Sequence, residues 1–578
     1  MSVSLSVAKA RSAPAGRVSL SVRPSPDLRM VADRRGTLVV LGACAERSTR
    51  FAAAADSALG TGDVSALHAL PGCFSSVLVR GDEAAVRTDP VGQFPFYAAE
   101  SASDWHIGDH PADVAALVAA EVDGVALAAR MVCPDACDLL AKTTPYAGVA
   151  RLPLGHRWQL GGGHALLSGV DPIGPVAGTR LREAAEELGA ALAAAVRARM
   201  ALGRVTADFS GGVDSASLAF LAVRDAAELP VLTFRYAHAP VEDDILRARG
   251  YAELDSALRH HEITCADDDL PYRRLDADDC DPHPAALSAG HFRARLAVAA
   301  EHGDLHLVGE GGDFVLSASP VYLADLARRG DYAALWRHCV AWGRMRTAAP
   351  SALVHGAVLA ASRGDGLRAL ARTLERPRAD ASWARRWTGP WNPRGAAWLR
   401  RKAAADLAEH VRRSAADLPA GWELADLVTA GQMRLQSLTQ RRLRMIGHEY
   451  GVAVHAPFLD SAVVRACLAL HGADRVRPDA SKPLLAAALA GAVPAAVLGR
   501  TTKGDYTSSA HAGARLAASG LRDLLADDCL LAEHGLIEPS LVRPVLDDAL
   551  RGLPVPWGAL NQVFAVELWL RANEGTSR

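Results

Sequence analysis

Between Asp208 and Ser215 the chain reads Asp-Phe-Ser-Gly-Gly-Val-Asp-Ser, an order of residue types suited to holding an anion. Gly211 and Gly212 can take positive φ and let a ligand approach the main chain. Ser210 and Ser215 bring hydroxyls. The helix expected from Ser215 onward leaves its first N–H groups unpartnered at a partially positive end. Asp214 adds a carboxylate suited to Mg²⁺, which takes oxygen ligands and keeps phosphate in its shell. The loop lacks the Lys-Ser/Thr ending of a Walker A loop, so β/γ-phosphate cleavage is not the expected chemistry.

A second loop, Gly309-Glu310-Gly311-Gly312-Asp313, repeats the pattern after the apolar Leu305 to Val308. Here the alternative is an ordinary glycine turn. With Asp214 and Asp313 both at strand ends, one Mg²⁺ shared by the two and bridging ATP phosphates is the geometric expectation, with Gly311 beside the phosphates. A third loop, Arg500-Thr501-Thr502-Lys503-Gly504-Asp505-Tyr506, offers Lys503 to meet charge at the α-phosphate and the departing pyrophosphate. Taken alone, that lysine is equally a solvated surface charge.

These loops need a frame. Val205 to Phe209, Pro230 to Arg235, His261 to Thr264 and Leu305 to Val308 read as strands, separated by helices at Ser215 to Ala226, Glu242 to Leu258 and Phe292 to His302. Such alternation predicts an α/β fold with a doubly wound parallel sheet, which collects ligands at the carboxyl ends of its strands. Arg180 to Met200 reads as a helix leading into it, and the chain beyond Ser317 as mainly helical. From Thr37 to about Leu167 short strands punctuated by Gly and Pro predict a β-rich layered domain, and Asp171 to Ala177 a linker. The expected division is an extension over 1–36, a β-rich domain over 37–170 and an α/β unit carrying the glycine loops over 180–578. The extension repeats Val-Ser-Leu-Ser-Val at Val3 and Val18, which points to an edge strand or a disordered segment rather than a targeting peptide.

With 578 residues, a formal net charge of -2 and 22% charged residues, the chain has no bulk attraction for nucleic acid or acidic membranes. No apolar run is long enough for a membrane helix. Nine scattered cysteines indicate a reducing cytoplasm without a disulfide framework, and Cys133 with Cys137 lacks the partners of a zinc site.

Together the loop at Ser210 to Ser215, Gly309 to Asp313, Ala456-Pro457-Phe458-Leu459-Asp460, Lys482-Pro483-Leu484-Leu485 and Arg500 to Lys503 resemble, in order, the asparagine synthetase superfamily of ATP pyrophosphatases. The resemblance runs from about Thr37 to about Arg515. It implies attack of a substrate carboxylate on the α-phosphate of ATP, release of pyrophosphate, and transfer of the acyl group from AMP to an amine. Leu70 to Phe74 and Gly92 to Tyr97 resemble strands of the family's glutaminase domain. That activity needs an exposed N-terminal cysteine, whereas the sequence opens Met1-Ser2-Val3. A degenerate glutaminase domain, and an amine supplied by the substrate, are therefore expected.

Tyr322 to Gly330, Gly451 to His455 and Lys503 to Tyr506 are similar to the lasso peptide cyclases, a branch that closes macrolactam rings. The resemblance implies a precursor core peptide as substrate, with a leader peptidase and a leader-binding protein in the same pathway. An Asp or Glu side chain of the peptide would be adenylated and then captured by its own N-terminal amine. Glu310 stands where the asparagine synthetase motif has Glu and is the expected proton acceptor, with His455 a second candidate. The family's Glu before its Pro-Phe-Leu-Asp motif aligns with Ala453, which leaves a two-acid relay in question. Trp383, Trp387, Trp391 and Trp398 fit either helix packing or the wrapping of a peptide. The alternatives are asparagine synthetase or β-lactam synthetase-type ligation of small molecules, and a non-catalytic peptide-binding scaffold.

Overall fold

The computed structural model describes residues 3–8, 18–46, 49–136, 142–171, 173–237, 243–276, 280–361, 363–377, 393–414, 422–500 and 507–574. Its first part is built from β1 (Val3–Ala8), β2 (Val18–Val22), β3 (Leu28–Asp33), β4 (Gly36–Cys44), β5 (Gly72–Arg80), β6 (Glu83–Arg87), β7 (Tyr97–Glu100), β8 (Asp104–Gly108), β9 (Ala150–Arg151), β10 (His156–Gly161) and β11 (His164–Gly169). They form two antiparallel sheets, ordered β2-β1-β8-β7-β9 and β11-β10-β6-β5-β4-β3. Strand periodicity explains the layering. Val39, Leu41, Val77 and Val86 of the second sheet meet Val3, Leu5 and Ile107 of the first in one core. The alternate residues Leu38, Val40 and Leu78 turn outward under the helix Thr49–Thr61. On the far side of the first sheet, Tyr97 and Ala99 pack against helical residues such as Val114 and Leu127.

Residues 1–36 are not an extension ahead of this unit. They supply three strands, and β1 lies inside its sheet between β2 and β8, with Leu5 opposite both Leu20 and Ile107. The alternation Val-Ser-Leu-Ser-Val drives the result: Val3, Leu5 and Val7 are buried, while Ser4 and Ser6 fall on the other face. Met1 and Ser2 lie outside the described residues.

The second unit carries β12 (Val205–Asp208), β13 (Leu229–Tyr236), β14 (Leu258–Cys265), β15 (Leu305–Leu307) and β16 (Ala453–His455). All pair in parallel, in the order β14-β13-β12-β15-β16. The chain winds outward from β12 to β14, then returns to β12's other side with β15. With right-handed crossovers this reversal makes the sheet doubly wound and opens a crevice between β12 and β15. The helix Val213–Ala222 leaves β12, and Ala289–His302 leads into β15. The helix expected over Glu242 to Leu258 is shorter, Asp243–Ala252, because Leu258 already pairs with Leu229 in the sheet. The strand β16 was not anticipated.

A 26-residue helix, Leu424–Glu449, packs on the end of this sheet and reaches the first unit, where the Arg444 guanidinium lies 4.1 Å from the Phe94 ring centre. Trp398 is buried in the helical core. Trp383, Trp387 and Trp391 fall outside the described residues. Among the described residues no helix is long and apolar enough to cross a membrane.

Candidate functional site

The two glycine loops meet at the crevice. Phe209 N donates to Leu232 O at 2.7 Å, carrying the sheet one residue past β12 before the chain turns. Gly211 has φ of 75°, and a Cβ there would overlap the Asp244 carbonyl, so the turn needs glycine. The Ser210 and Ser215 hydroxyls lie 3.0 Å apart, and Ser215 Oγ accepts from Ser210 N at 3.2 Å. The helix Val213–Ala222 follows at once, its N-terminus at the loop and without a side-chain cap from Gly212. Buried Arg500 ties the loop down, donating to Gly211 O and pairing with Asp244.

The loop after β15 presses against this one. A Cβ on Gly309 would stand 3.0 Å from Ser215 N, and one on Gly312 2.5 Å from the Asp214 carboxyl carbon. Gly311, with φ of 91°, turns the chain into the short helix Gly312–Val315, whose first turn carries Asp313.

Asp214 and Asp313 thereby converge. The Lys482 ammonium sits between them, paired with Asp214 and 2.7 Å from Asp313 Oδ1. Burial works against the lysine's charge, but the two carboxylates outweigh it and hold its pKa above the ordinary value. Lys482 has φ of 48°, costly for a residue with a Cβ, immediately before Pro483 opens the helix Pro483–Ala488. Two carboxylates converging on one positive charge are donors that could contribute to holding a divalent cation. The sequence motif around Lys482 does not by itself reveal this role. The partners are 268 and 169 residues away in sequence, and the one local signal is a lysine before a helix-opening proline.

Glu310 accepts from Gln436 of the long helix. Burial pushes its carboxyl up, Arg295 and Gln436 oppose, and Asp208 and Asp313 push the same way as burial, leaving it above the usual range. Asp208, at the end of β12, is paired with Arg295 at 2.9 Å and His306 at 3.0 Å. Burial would raise this carboxyl too, but Arg295 and His306 keep it low. The two acids of the crevice are thus pushed apart.

His455, at the end of β16, is buried. Its Nδ1 accepts from Arg199 Nε at 3.1 Å, and Arg199 grips Asp460 with both terminal nitrogens. Its carbonyl receives Val308 N at 2.9 Å, on the strand side of the crevice. Ser210, Gly211, Gly212, Asp214, Ser215, Glu310, Gly311 and Asp313 are brought together around the crevice. Lys503 lies outside the described residues.

Comparison with known proteins adds family to geometry. The solved structure of a glutamine phosphoribosylpyrophosphate amidotransferase from B. subtilis, complexed with ADP and GMP, is 10% identical over 45% of this chain and 59% of that one, with a TM-score of 0.19. The chain therefore spans less than two thirds of that relative. No curated protein matches it in sequence. The family described as asparagine synthase matches residues 187–571, which is most of the chain, and the chain belongs to that family.

Proposed function

We propose that the chain is an ATP-dependent, AMP-forming amide ligase that closes a macrolactam ring within a precursor peptide, as the lasso peptide cyclases do. The observation that carries the reading is the convergence of Asp214 and Asp313 on one cationic position beside the Ser210 to Ser215 loop. Asp214 and Asp313 would hold Mg²⁺, which when bound neutralises phosphate charge. The loop's backbone and hydroxyls cradle the ATP phosphates. An Asp or Glu side chain of the peptide attacks the α-phosphate, pyrophosphate leaves, and the peptide's N-terminal amine displaces AMP to give the isopeptide bond. Lys503 is the residue assigned to the charge at the α-phosphate.

Glu310 accepts the proton released as the amide forms. Its raised pKa brings a carboxylate closer to the range of an effective base. His455 is the weaker candidate, because Nδ1 already accepts from Arg199 and the neutral ring then carries its proton on Nε2.

A substrate-borne amine, rather than ammonia from glutamine, is supported by the described thiols of the first unit; Cys137 lies outside the described residues. Cys44, Cys73 and Cys133 are buried. Burial raises each thiol's pKa, and the Asp89 carboxylate 3.2 Å from Cys73 raises that one further. None has the environment of a nucleophile. The precursor's leader peptidase and leader-binding protein would be partners in a cytoplasmic pathway.

The test is Asp214→Ala with purified protein, leader-free peptide, ATP and Mg²⁺. AMP release should collapse in the variant, and undiminished release would sink the site. Offering glutamine and aspartate instead should yield neither asparagine nor glutamate.

A further inference from the structure

The helix Thr49–Thr61 covers only part of the outer face of the second sheet. Strand alternation carries that face onward in rows across the ladders. Leu78 lies opposite Ala85, Ala85 opposite Gln159 and Gln159 opposite Leu166, so all four point the same way. Leu78 packs under the helix, but Leu166 is 61% exposed. Beside the end of the helix this leaves a hollow of about 350 Å³, with the small Ala85 in its floor and Thr61 and Gly62 in its wall. That volume lies at the lower end of the range for pockets that take a small molecule.

Two guanidiniums converge on this hollow. Arg80 and Arg157 stand in the rows on either side of the one that runs from Leu78 to Leu166, and both reach the same turn. Arg80 Nη2 donates to Gly60 O at 3.1 Å, and Arg157 Nη2 to Gly62 O at 3.0 Å. Capping the last carbonyls of a helix accounts for one nitrogen of each. It does not account for the rest. Nη1 of each makes no hydrogen bond among the described residues and is open to solvent. Nor does either guanidinium pair with a carboxylate among the described residues, although Glu83 stands on the rim of the hollow. Asp63, at the end of the helix, is turned to its own loop, accepting from Ser65 N at 3.0 Å and Ser65 Oγ at 2.7 Å. Directly across the ladder from Arg157 is Arg87, a pairing of like charges that destabilises a sheet. The acid that answers Arg87 is Asp171 at 3.6 Å, and Arg465 holds that carboxylate more closely, at 2.5 Å. Positive charge on this face is thus left uncompensated around Arg157.

We propose that the hollow is a binding site for a small organic anion, a carboxylate or a phosphate monoester. Its charged head lies between Arg80 and Arg157, and its apolar body rests on the floor formed by Leu78, Ala85 and Leu166. Guanidinium groups with free N–H donors match the oxygens of either head, and each such contact is a charge-assisted hydrogen bond. The Gln159 side chain, exposed in the same row as Ala85, offers both donors and an acceptor to a polar substituent on the body. The site is built wholly from residues of the first unit, on the face of the second sheet turned away from the core it shares with the first. It is therefore separate from the crevice between β12 and β15 and stands independently of the ligase reading.

The experiment titrates the full chain with benzoate, phenyl phosphate and the neutral benzamide by isothermal calorimetry, without nucleotide. At least one of the two anions should bind about tenfold or more tightly than benzamide, and the better of the two identifies the head group. Arg80→Met and Arg157→Met should each weaken that anion by about tenfold. Both arginines also cap a helix, so a thermal melt of each variant is the control for folding. Ala85→Leu fills the floor without touching either guanidinium or the cap, and should weaken the anion in the same direction. Unchanged affinity in a folded arginine variant or in Ala85→Leu overturns the proposal. So does benzamide binding as tightly as the anions, or no binding of any of the three probes. Displacement of the bound anion by ATP overturns it too, since the anion would then occupy the crevice between β12 and β15.

Discussion

Gly312 and Asp214 are in contact across the crevice between β12 and β15, so that the aspartate's carboxylate occupies the space a side chain at 312 would fill. The carboxylate cannot give way cheaply, because Lys482 holds it from the other side. Gly312→Ala should therefore displace the carboxylate by a fraction of an ångström to about 1 Å and cut AMP release by about 10²-fold. The fold should lose about 1–3 kcal/mol, the usual cost of an added methyl in a packed site. AMP release down by about 10²-fold while the thermal melt still shows a folded protein at the assay temperature is the expected signature.

Lys482→Met leaves two carboxylates facing one another. The lysine and Asp214 are largely buried but Asp313 is about half exposed, so the loss should be about 2 kcal/mol, below that of a wholly buried pair. Because a divalent cation can take the ammonium's place, Mg²⁺ should narrow the gap in melting temperature that appears in chelator. A gap insensitive to Mg²⁺ would show that the two aspartates do not share a cation.

Glu310→Gln separates the two halves of the proposed reaction. Pyrophosphate exchange into ATP should continue, while amide formation should slow by about 10²–10⁴-fold, the range for loss of a general base. Equal loss of both activities would assign Glu310 to nucleotide binding instead.

Asp325 provides a pH test away from the chemistry. It accepts from Leu424 N and Ala425 N at 2.9 Å each, capping the long helix from a neighbouring one. Burial pushes its carboxyl up to about 7, the Ala425 and Leu424 N–H groups opposing and Glu423 adding to the rise. A group raised in the folded state binds more protons there than in the unfolded chain. Its contribution is thus full below about pH 4 and is lost as pH climbs to about 7, about 4 kcal/mol over the interval. Asp325→Asn should flatten that part of the stability–pH curve, as followed by denaturant titrations at several pH values.

The parallel sheet was largely legible because its strands announce themselves locally. Val205 to Phe209 and Leu305 to Val308 are short runs rich in apolar residues that lead into glycine-bearing loops, and both appear within a residue as β12 and β15. The meeting of their loops followed from the rule that ligands gather at strand ends. What stayed hidden depends on long-range pairing. Ala453 to His455 is too short to read as a strand alone and becomes one by pairing with β15. The roles of Lys482 and Arg500 require knowing that Asp214, Asp313 and Asp244 stand beside them. The same limit produced the error over residues 1–36, where the alternation was seen but the partner strand β8, about a hundred residues on, was not.

That distant partner sets an order of events during synthesis. The apolar edge of β1 that will accept β8 stays unpaired until residues Asp104 to Gly108 have been made. At ordinary elongation rates this is an interval of about 5–20 s. The hairpin with β2 can form early, but it leaves Val3, Leu5 and Val7 uncovered in the meantime. The nascent first unit thus passes through a stage with a bare, sticky strand edge, so the yield of soluble protein should depend on how quickly that stage is crossed.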